Sequence, residues 1–146
     1  DFNQPENFDM KYVGEDGNEH RPAVLHVAVF GSFERFMGIL IEHYAGAFPY
    51  WLAPVQVKVI PVGKDFVDYA NEVGEQLKEA GVRFEIDEGS DSLGKKIRNA
   101  ELEKVPYMFV VGEKEVEAKT IAVRDYSTKE QEVLNLQEFL ERVSSS

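Results

Sequence analysis

The stretch from residue 93 to residue 115 places a basic helix directly before an apolar strand. Leu93, Ile97 and Ala100 recur at helical spacing and predict one apolar helix face. Pro106 forbids continuation of the helix, and the five apolar residues 107–111 are strand formers typical of a buried central strand. The other helix faces are predicted to carry the cations Lys95, Lys96, Arg98 and Lys104. One unit therefore joins a positively charged helix to a buried strand.

The segments around this unit alternate between strand and helix patterns. The predicted strands cover 55–62, 83–87, 107–111 and 120–125. Helices are predicted between the first three strands, and this alternation implies parallel strands with right-handed crossovers. The strand at 120–125 follows a hairpin-length loop and is predicted to be antiparallel to its predecessor. A last helix, capped by Asn135, completes a βαβαββα order, and 144–146 are predicted to be a frayed tail.

Residues 1–52 predict a separate N-terminal part. Strand patterns at 8–13 and 23–30, joined by a polar, turn-rich loop, predict a hairpin. Ser32 is predicted to cap a helix that ends at Gly46. The proline- and aromatic-rich segment 47–54 predicts an ordered linker, so we place the domain boundary between residues 52 and 53.

The amino-acid composition excludes several kinds of functional site. A chain of 146 residues can bury one core and a small annex. The absence of cysteine excludes disulfides, a thiolate nucleophile and a cysteine-rich zinc site, and favours a cytoplasmic protein. No apolar run is long enough to predict a membrane span. The formal net charge of −11 argues against indiscriminate nucleic-acid binding, so any RNA contact is expected to be local.

The residues that could carry chemistry lie at the carboxyl ends of the predicted parallel strands, where open α/β sheets bind ligands. These ends are 61–64, 87–91 and 112–115, and Arg124 on the returning strand is predicted to meet the last of them. Arginine and glutamate suit the reading of splayed-out RNA bases, but they suit a solvated rim equally well. Arg35 opposes the dipole of its helix, which indicates either a pair with Glu34 or an anion site.

Several segments of the chain resemble one family. They are Gly31–Phe36 (GSFERF), Glu42–Gly46 (EHYAG), Trp51–Val57 (WLAPVQV), Lys96–Arg98 (KIR), Val105–Met108 (VPYM) and Gly112–Glu117 (GEKEVE). Arg21-Pro22 followed by His26 fits the same alignment. Together they resemble class II threonyl-tRNA synthetases, from the end of the catalytic domain through the C-terminal anticodon-binding domain, over nearly the whole chain.

This resemblance implies a fold and a set of site residues. The fold is the α/β class II synthetase anticodon-binding fold at 53–146, a mixed sheet with helices on both faces. It is preceded at 1–52 by a hairpin and the motif 3 helix, a remnant of the antiparallel catalytic core. Arg35 would contact ATP in a complete enzyme, and His26 would hold a zinc-ligand position in an incomplete site. The implied RNA-binding residues are Ser90, Ser92, Lys95, Lys96, Arg98, Lys104, Glu115 and Arg124.

The resemblance also has departures. The family usually reads Arg-Asn-Glu-Lys where this chain has Gly89-Ser90-Asp91-Ser92, and Val27 replaces an arginine. Motifs 1 and 2 of the catalytic core are absent, so the chain alone is not expected to aminoacylate or to need a cofactor. ATP, magnesium and zinc belong to the complete enzyme. Glu115 and Arg124 match positions that read anticodon bases.

The implied function is therefore anticodon recognition as part of a threonine-tRNA ligase. The implied partners are threonine tRNA, the rest of the catalytic domain and a second subunit in a homodimer, with no membrane. An open sheet edge at 8–13 predicts dimerisation or a repacked N-terminal segment. The alternative is an engineered or divergent scaffold or interaction domain that keeps the fold without specific tRNA binding.

Overall fold

The computed structural model describes residues 1–144 in two compact units, Asp1–Ile39 and the chain from Leu40 onward. Residues 145 and 146 of the predicted tail lie outside the described residues, and Ser144 is the last residue of a helix. The predicted domain boundary between 52 and 53 stays a prediction, as does the predicted dimerisation.

The N-terminal unit contains little regular structure. Its elements are α1 (Asn3–Asn7), β1 (Tyr12–Val13), β2 (Glu19–His20) and the start of α2 (Phe33–His43). The two short strands pair antiparallel, with Tyr12 opposite His20. The backbone N–H of Arg35 donates to Ser32 Oγ over 3.3 Å, which confirms the predicted cap of α2.

The prediction of two longer strands in this unit is wrong. Only Tyr12 and Val13 of the segment 8–13 form a strand, and residues 23–30 form none. Leu25 is 88% exposed, and Val27 and Val29 are also exposed. The alternating pattern is present, but a strand needs a hydrogen-bonded neighbour, and no strand within residues 1–144 pairs with this segment.

The second unit is built around a five-stranded sheet. Its elements are β3 (Val57–Pro61), a 3₁₀ turn (Lys64–Phe66), α3 (Val67–Glu79), β4 (Phe84–Ile86), α4 (Leu93–Leu102), β5 (Tyr107–Val111), α5 (Glu113–Ala118), β6 (Ile121–Asp125), β7 (Gln131–Leu134) and α6 (Leu136–Ser144). The strand order is β4-β3-β5-β6-β7. The first three are parallel, and β6 is antiparallel to both of its neighbours.

Apolar residues alternate along the strands and create a core on each face of this sheet. On one face, α3 and α6 bury a cluster centred on Phe109 and Phe139, whose rings meet edge to face at 4.8 Å. On the other face, α4 packs Ala100 against Ile60 and Met108. The structure therefore confirms the predicted mixed α/β sheet with helices on both faces.

The sequence did not predict α1 or the 3₁₀ turn, and it missed two longer elements of the second unit. The charged segment after β5 is a helix, α5, in which the carboxylate of Glu115 accepts the backbone N–H of Gly112 over 3.0 Å. A six-residue helix is too short to show a helical period in sequence. The second is the exposed edge strand β7, whose residues 131–133 face solvent. Its charged and polar residues hide the strand pattern.

The linker at 47–54 is ordered, as predicted. Gln56 Nε2 donates to the carbonyl oxygen of Tyr50 over 2.9 Å. The guanidinium of Arg83 donates to the carbonyl oxygens of Trp51 and Ala53. These bonds satisfy backbone groups that have no strand or helix partner, so they fix the linker against the start of β3.

Candidate nucleic-acid interface

The first part of the candidate interface is a cleft at the carboxyl ends of β3 and β4. Its volume is about 150 Å³. The lining residues are Pro61, Val62, Gly63, Lys64, Val67, Glu88, Gly89, Ser90, Asp91 and Lys96. Parallel strands bring these loops to one edge of the sheet, so the predicted ends 61–64 and 87–91 do lie together.

Ser90 and Ser92 are exposed at the rim of this edge, before the first turn of α4. Ser92 has extended backbone angles, and its carbonyl oxygen accepts the N–H groups of Lys95 and Lys96. The hydroxyl of Ser92 caps no backbone N–H, so it is available to a ligand. The ammonium of Lys95 lies 2.8 Å from Asp91 Oδ1 in an exposed ion pair, which water screens.

Lys96 was predicted on a face of α4 other than the apolar one, but the structure buries it, and it is only 5% exposed. Its Nζ donates to the carbonyl oxygen of Asp87 over 2.7 Å and lies 3.8 Å from Asp87 Oδ1. The side chain starts beside the apolar face of the helix, and its aliphatic stem can be buried while the ammonium reaches a polar group. Lys96 therefore holds the loop after β4 and does not present a free cation.

Arg98 and Lys104 take different positions. Arg98 is exposed on α4 and has no ion pair or hydrogen-bond partner among residues 1–144, as an RNA-contacting cation would require. Lys104 lies beyond the end of α4 with φ 57°, and its Nζ donates to the carbonyl oxygen of Ala45. The ten-residue helix separates Lys104 from Ser92 by about 15 Å. Lys104 thus does not join the carboxyl-edge cluster.

The prediction that Arg124 meets the loop at 112–115 is wrong. Strand register places Arg124 opposite Met108, the second residue of β5. Glu115 lies beyond Val111, the last residue of that strand, so roughly 10 Å of strand separates the two levels. The strand β6 begins at the carboxyl edge and runs away from it, which carries Arg124 towards the opposite end of the sheet.

Arg124 instead lies on the sheet face that carries α4. Its Nη2 donates to Glu101 Oε1 over 3.0 Å, and its buried Nε has no hydrogen-bond partner among residues 1–144. Lys129 Nζ lies 3.8 Å from the same oxygen and 4.0 Å from the ring centroid of Tyr126. The neighbouring Val133 is 61% exposed, so this part of the sheet face is open to solvent.

The group around Arg124 was missed from sequence because its members come from three elements. We call Arg124, Glu101, Lys129, Tyr126 and Gln131 the open-face group. Gln131 lies opposite Arg124 on β7 and is exposed. Their sequence separations carry no periodic signal; only the pairing of β6 with β5 and β7 brings them together. The one sequence feature that could have suggested an acidic partner for Arg124 was Glu101, in the last turn of α4.

The turn that supports this group is fixed by Asp125. Its Oδ1 accepts the hydroxyl and backbone N–H of Ser127, both over 2.6 Å, and the N–H of Thr128 over 3.1 Å. Partial burial opposes ionisation of the Asp125 carboxyl, but these hydrogen bonds and the nearby ammonium of Lys129 outweigh it and lower its pKa. The turn therefore holds Lys129 beside Tyr126.

Two candidates, Arg35 and His26, lie in the N-terminal unit. Arg35 is exposed in the first turn of α2, and His26 Nε2 lies 2.9 Å from Asp1 Oδ2. Within residues 1–144 no three histidine, aspartate or glutamate side chains converge as a metal site. His26 therefore does not form a zinc site with other described residues.

Comparison with known proteins decides the family. The profile of the anticodon binding domain family matches residues 56–146, which is more than half of the chain. The chain belongs to the anticodon binding domain family. The match begins just before β3 and includes the open-face group and the carboxyl-edge cleft.

Curated relatives of this anticodon binding domain protein carry one description. The threonine–tRNA ligase of Chloroherpeton thalassium is 56% identical over 138 residues, which are 94% of this chain and 21% of the relative. That of a Sulfurihydrogenibium species is 50% identical over 143 residues, or 98% of this chain and 22% of the relative. The chain thus spans about a fifth of the length of the curated relatives it matches.

Solved structures agree on the fold of this family member. The RNA-binding domain of threonyl-tRNA synthetase from Cryptosporidium parvum has a TM-score of 0.76 and 34% identity, covering 99% of this chain and 37% of that chain. Prolyl-tRNA synthetase from the same organism has a TM-score of 0.67 at 24% identity, covering 99% and 31%, and supports the fold alone. Every helix within residues 1–144 is too short or too polar to cross a membrane.

Proposed function

We propose that this chain reads the anticodon loop of threonine tRNA as part of a threonine–tRNA ligase. The observation that carries the proposal is the open-face group, in which the partly exposed side chain of Arg124 shares Glu101 with Lys129, whose ammonium lies over the ring of Tyr126. The family match and the description of the relatives support the same reading.

The open-face group has the chemistry that single-stranded RNA requires. Arg124 has a planar guanidinium that suits base edges and phosphates; its Nε is buried and its Nη2 donates to Glu101, so Nη1 and the second N–H of Nη2 are the donors left for RNA. The ammonium of Lys129 lies over one face of the Tyr126 ring and provides positive charge there; a base that stacks on this ring must displace that ammonium or use the opposite face. Contacts of this local kind are compatible with the net charge of −11, because they do not depend on a broad basic surface.

Three further sets of residues extend the proposed interface. Arg98 is an exposed cation on α4, and it has no ion-pair partner among residues 1–144. Ser90, Ser92 and Lys95 line the start of the same helix, where free backbone N–H groups favour an anion such as a phosphate. Glu115 has one carboxylate oxygen bound to Gly112 N, which leaves its other oxygen for a base amino group.

The remaining expectations concern the complete enzyme. We propose that the partners there are the rest of the catalytic domain and a second subunit. There Arg35 would contact ATP, and the complete enzyme would also bind magnesium and zinc. His26 bonds to Asp1, and no three metal-ligating side chains converge within residues 1–144. We expect the chain alone not to aminoacylate, because it spans about a fifth of the length of the curated threonine–tRNA ligases that it matches.

The proposal is tested by measuring the affinity of the chain for threonine tRNA and for the same tRNA with an altered anticodon. We expect tighter binding of the unaltered tRNA. Arg124→Ala should reduce that preference by roughly 10-fold or more, since a well-placed arginine contributes about 1–3 kcal/mol of base discrimination. Lys78→Ala is the matched control, because Lys78 is an exposed cation on α3, on the other sheet face.

Equal affinity of the unmodified chain for both tRNAs would contradict anticodon reading. A preference that survives Arg124→Ala would remove Arg124 from the interface and leave the carboxyl-edge residues to be tested.

A further inference from the structure

The carboxylate of Glu101 contacts both cations of the open-face group through one oxygen. Its Oε1 accepts Arg124 Nη2 over 3.0 Å and lies 3.8 Å from Lys129 Nζ. Glu101 and Arg124 are each 29% exposed, so the pair is protected in part from screening by water. The contact joins the last turn of α4 to the end of the antiparallel strand β6.

This contact uses little of the binding capacity of Arg124. The guanidinium carries five N–H donors, and Glu101 accepts from Nη2 alone. The Nε donor is buried and has no partner among residues 1–144. Glu101 therefore holds the side chain of Arg124 through Nη2 alone. The N–H groups of Nη1 stay available to another acceptor.

We propose that Glu101 is a positioning residue that fixes the guanidinium of Arg124 for RNA reading. The inference rests on the proposed function. A free arginine side chain samples many rotamers, and binding must immobilise it at an entropic cost. An ion pair that already selects one rotamer removes part of this cost before RNA arrives. Glu101 also offsets the positive charge of Arg124 and Lys129, so it lowers attraction to phosphates of any sequence.

These two effects predict that Glu101→Ala changes the affinity for the two tRNAs in different ways. Loss of the tether should weaken binding of threonine tRNA by roughly 2- to 10-fold, the range for immobilising one long side chain. Loss of the negative charge should leave binding of the altered-anticodon tRNA unchanged or stronger. A role for Glu101 in folding alone would weaken both tRNAs together.

The experiment compares Glu101→Ala, Glu101→Gln and Glu103→Ala by fluorescence anisotropy with the two tRNAs, and by thermal unfolding. Glutamine keeps an oxygen that can accept from Arg124 Nη2, so Glu101→Gln should retain most of the preference. Glu103 is the matched control, because its carboxylate binds Lys58 and not Arg124. Glu103→Ala should therefore leave the preference unchanged.

A double mutant separates this inference from the proposed function. If Arg124→Ala alone abolishes the preference, Glu101→Ala should cause no further loss in that background. Unchanged preference in Glu101→Ala, with Arg124→Ala still harmful, would overturn the positioning role and leave anticodon reading intact. Tighter binding of threonine tRNA by Glu101→Ala would also overturn it, because Glu101 would then be a competitor for Arg124. A preference that survives Arg124→Ala would also overturn the positioning role, because Glu101 would then have no reading side chain to fix, and anticodon reading would rest on the carboxyl-edge residues.

Discussion

At the residue scale, Lys96 and Arg124 show that charge alone does not identify a ligand-binding side chain. Both are basic, and both were candidates for RNA contact. The ammonium of Lys96 is buried against the Asp87 carbonyl, whereas the guanidinium of Arg124 keeps donors beyond its single contact with Glu101. The difference follows from position, since Lys96 flanks an apolar helix face and Arg124 lies on an open sheet face.

Asp125 carries a pH-dependent prediction at the same scale. Asp125→Ala should lower the free energy of unfolding near pH 7 by about 1 kcal/mol, because the turn hydrogen bonds are lost. The folded-state pKa of this carboxyl lies below its ordinary value of 3.8. Its contribution is therefore complete above pH 3.8 and is lost as the pH falls through the lower folded-state pKa. The mutant and the unmodified chain should converge there.

Urea unfolding at several pH values between neutral pH and about pH 3 measures this difference. Asp65→Ala is the control, because Asp65 is exposed in the 3₁₀ turn, and it should change the stability by less than about 0.5 kcal/mol. A stability difference for Asp125→Ala that grows towards acid pH would contradict the assigned sign.

At the element scale, the packing of α3 on β4 depends on a residue without a side chain. A Cβ at Gly74 would lie 2.8 Å from Phe84 Cε2 and 3.1 Å from Ile86 Cδ1. Gly74→Ala should therefore destabilise the chain by about 1 kcal/mol, since overpacking costs roughly 1–3 kcal/mol and the gain in helix propensity offsets about 1 kcal/mol.

Gly94→Ala is the matched control for this prediction, measured in the same thermal unfolding series. Gly94 also lies in a helix, α4, but a Cβ there would meet no heavy atom within 4 Å. We expect no loss of stability from this change. Equal effects of the two substitutions would show that α3 does not approach β4 as closely as described.

At the scale of the whole molecule, both hydrophobic clusters lie in the second unit. The buried residues of the two clusters extend from Val57 to Phe139. A chain that begins at Leu40 should therefore unfold cooperatively, with a midpoint within about 5 °C of the unmodified chain, because burial of apolar surface is the main stabilising term. Thermal unfolding followed by circular dichroism measures this, and loss of a cooperative transition would contradict it.

The success of sequence reasoning differed between the two units. In the second unit, the helix predicted between the strands at 55–62 and 83–87 and the strand predicted from the apolar run 107–111 are both confirmed by the structure, as α3 and β5. In the first unit, an equally regular alternation at 23–30 predicted a strand that does not form. Periodicity reports which face a segment could bury, but a strand also requires a partner for its backbone groups.

The sequence by itself determined the four longer helices, the parallel strands and the resemblance to a synthetase, because these depend on local spacing and on short sequence motifs. Tertiary structure decided which candidate side chains meet. The register of β6 against β5 moved Arg124 away from Glu115 and placed it beside Glu101 and Lys129. Register is set by packing of the apolar residues across the sheet and by the geometry of the connection between the strands. The connection between β5 and β6 contains α5, which the sequence did not predict, so the register could not be derived in advance.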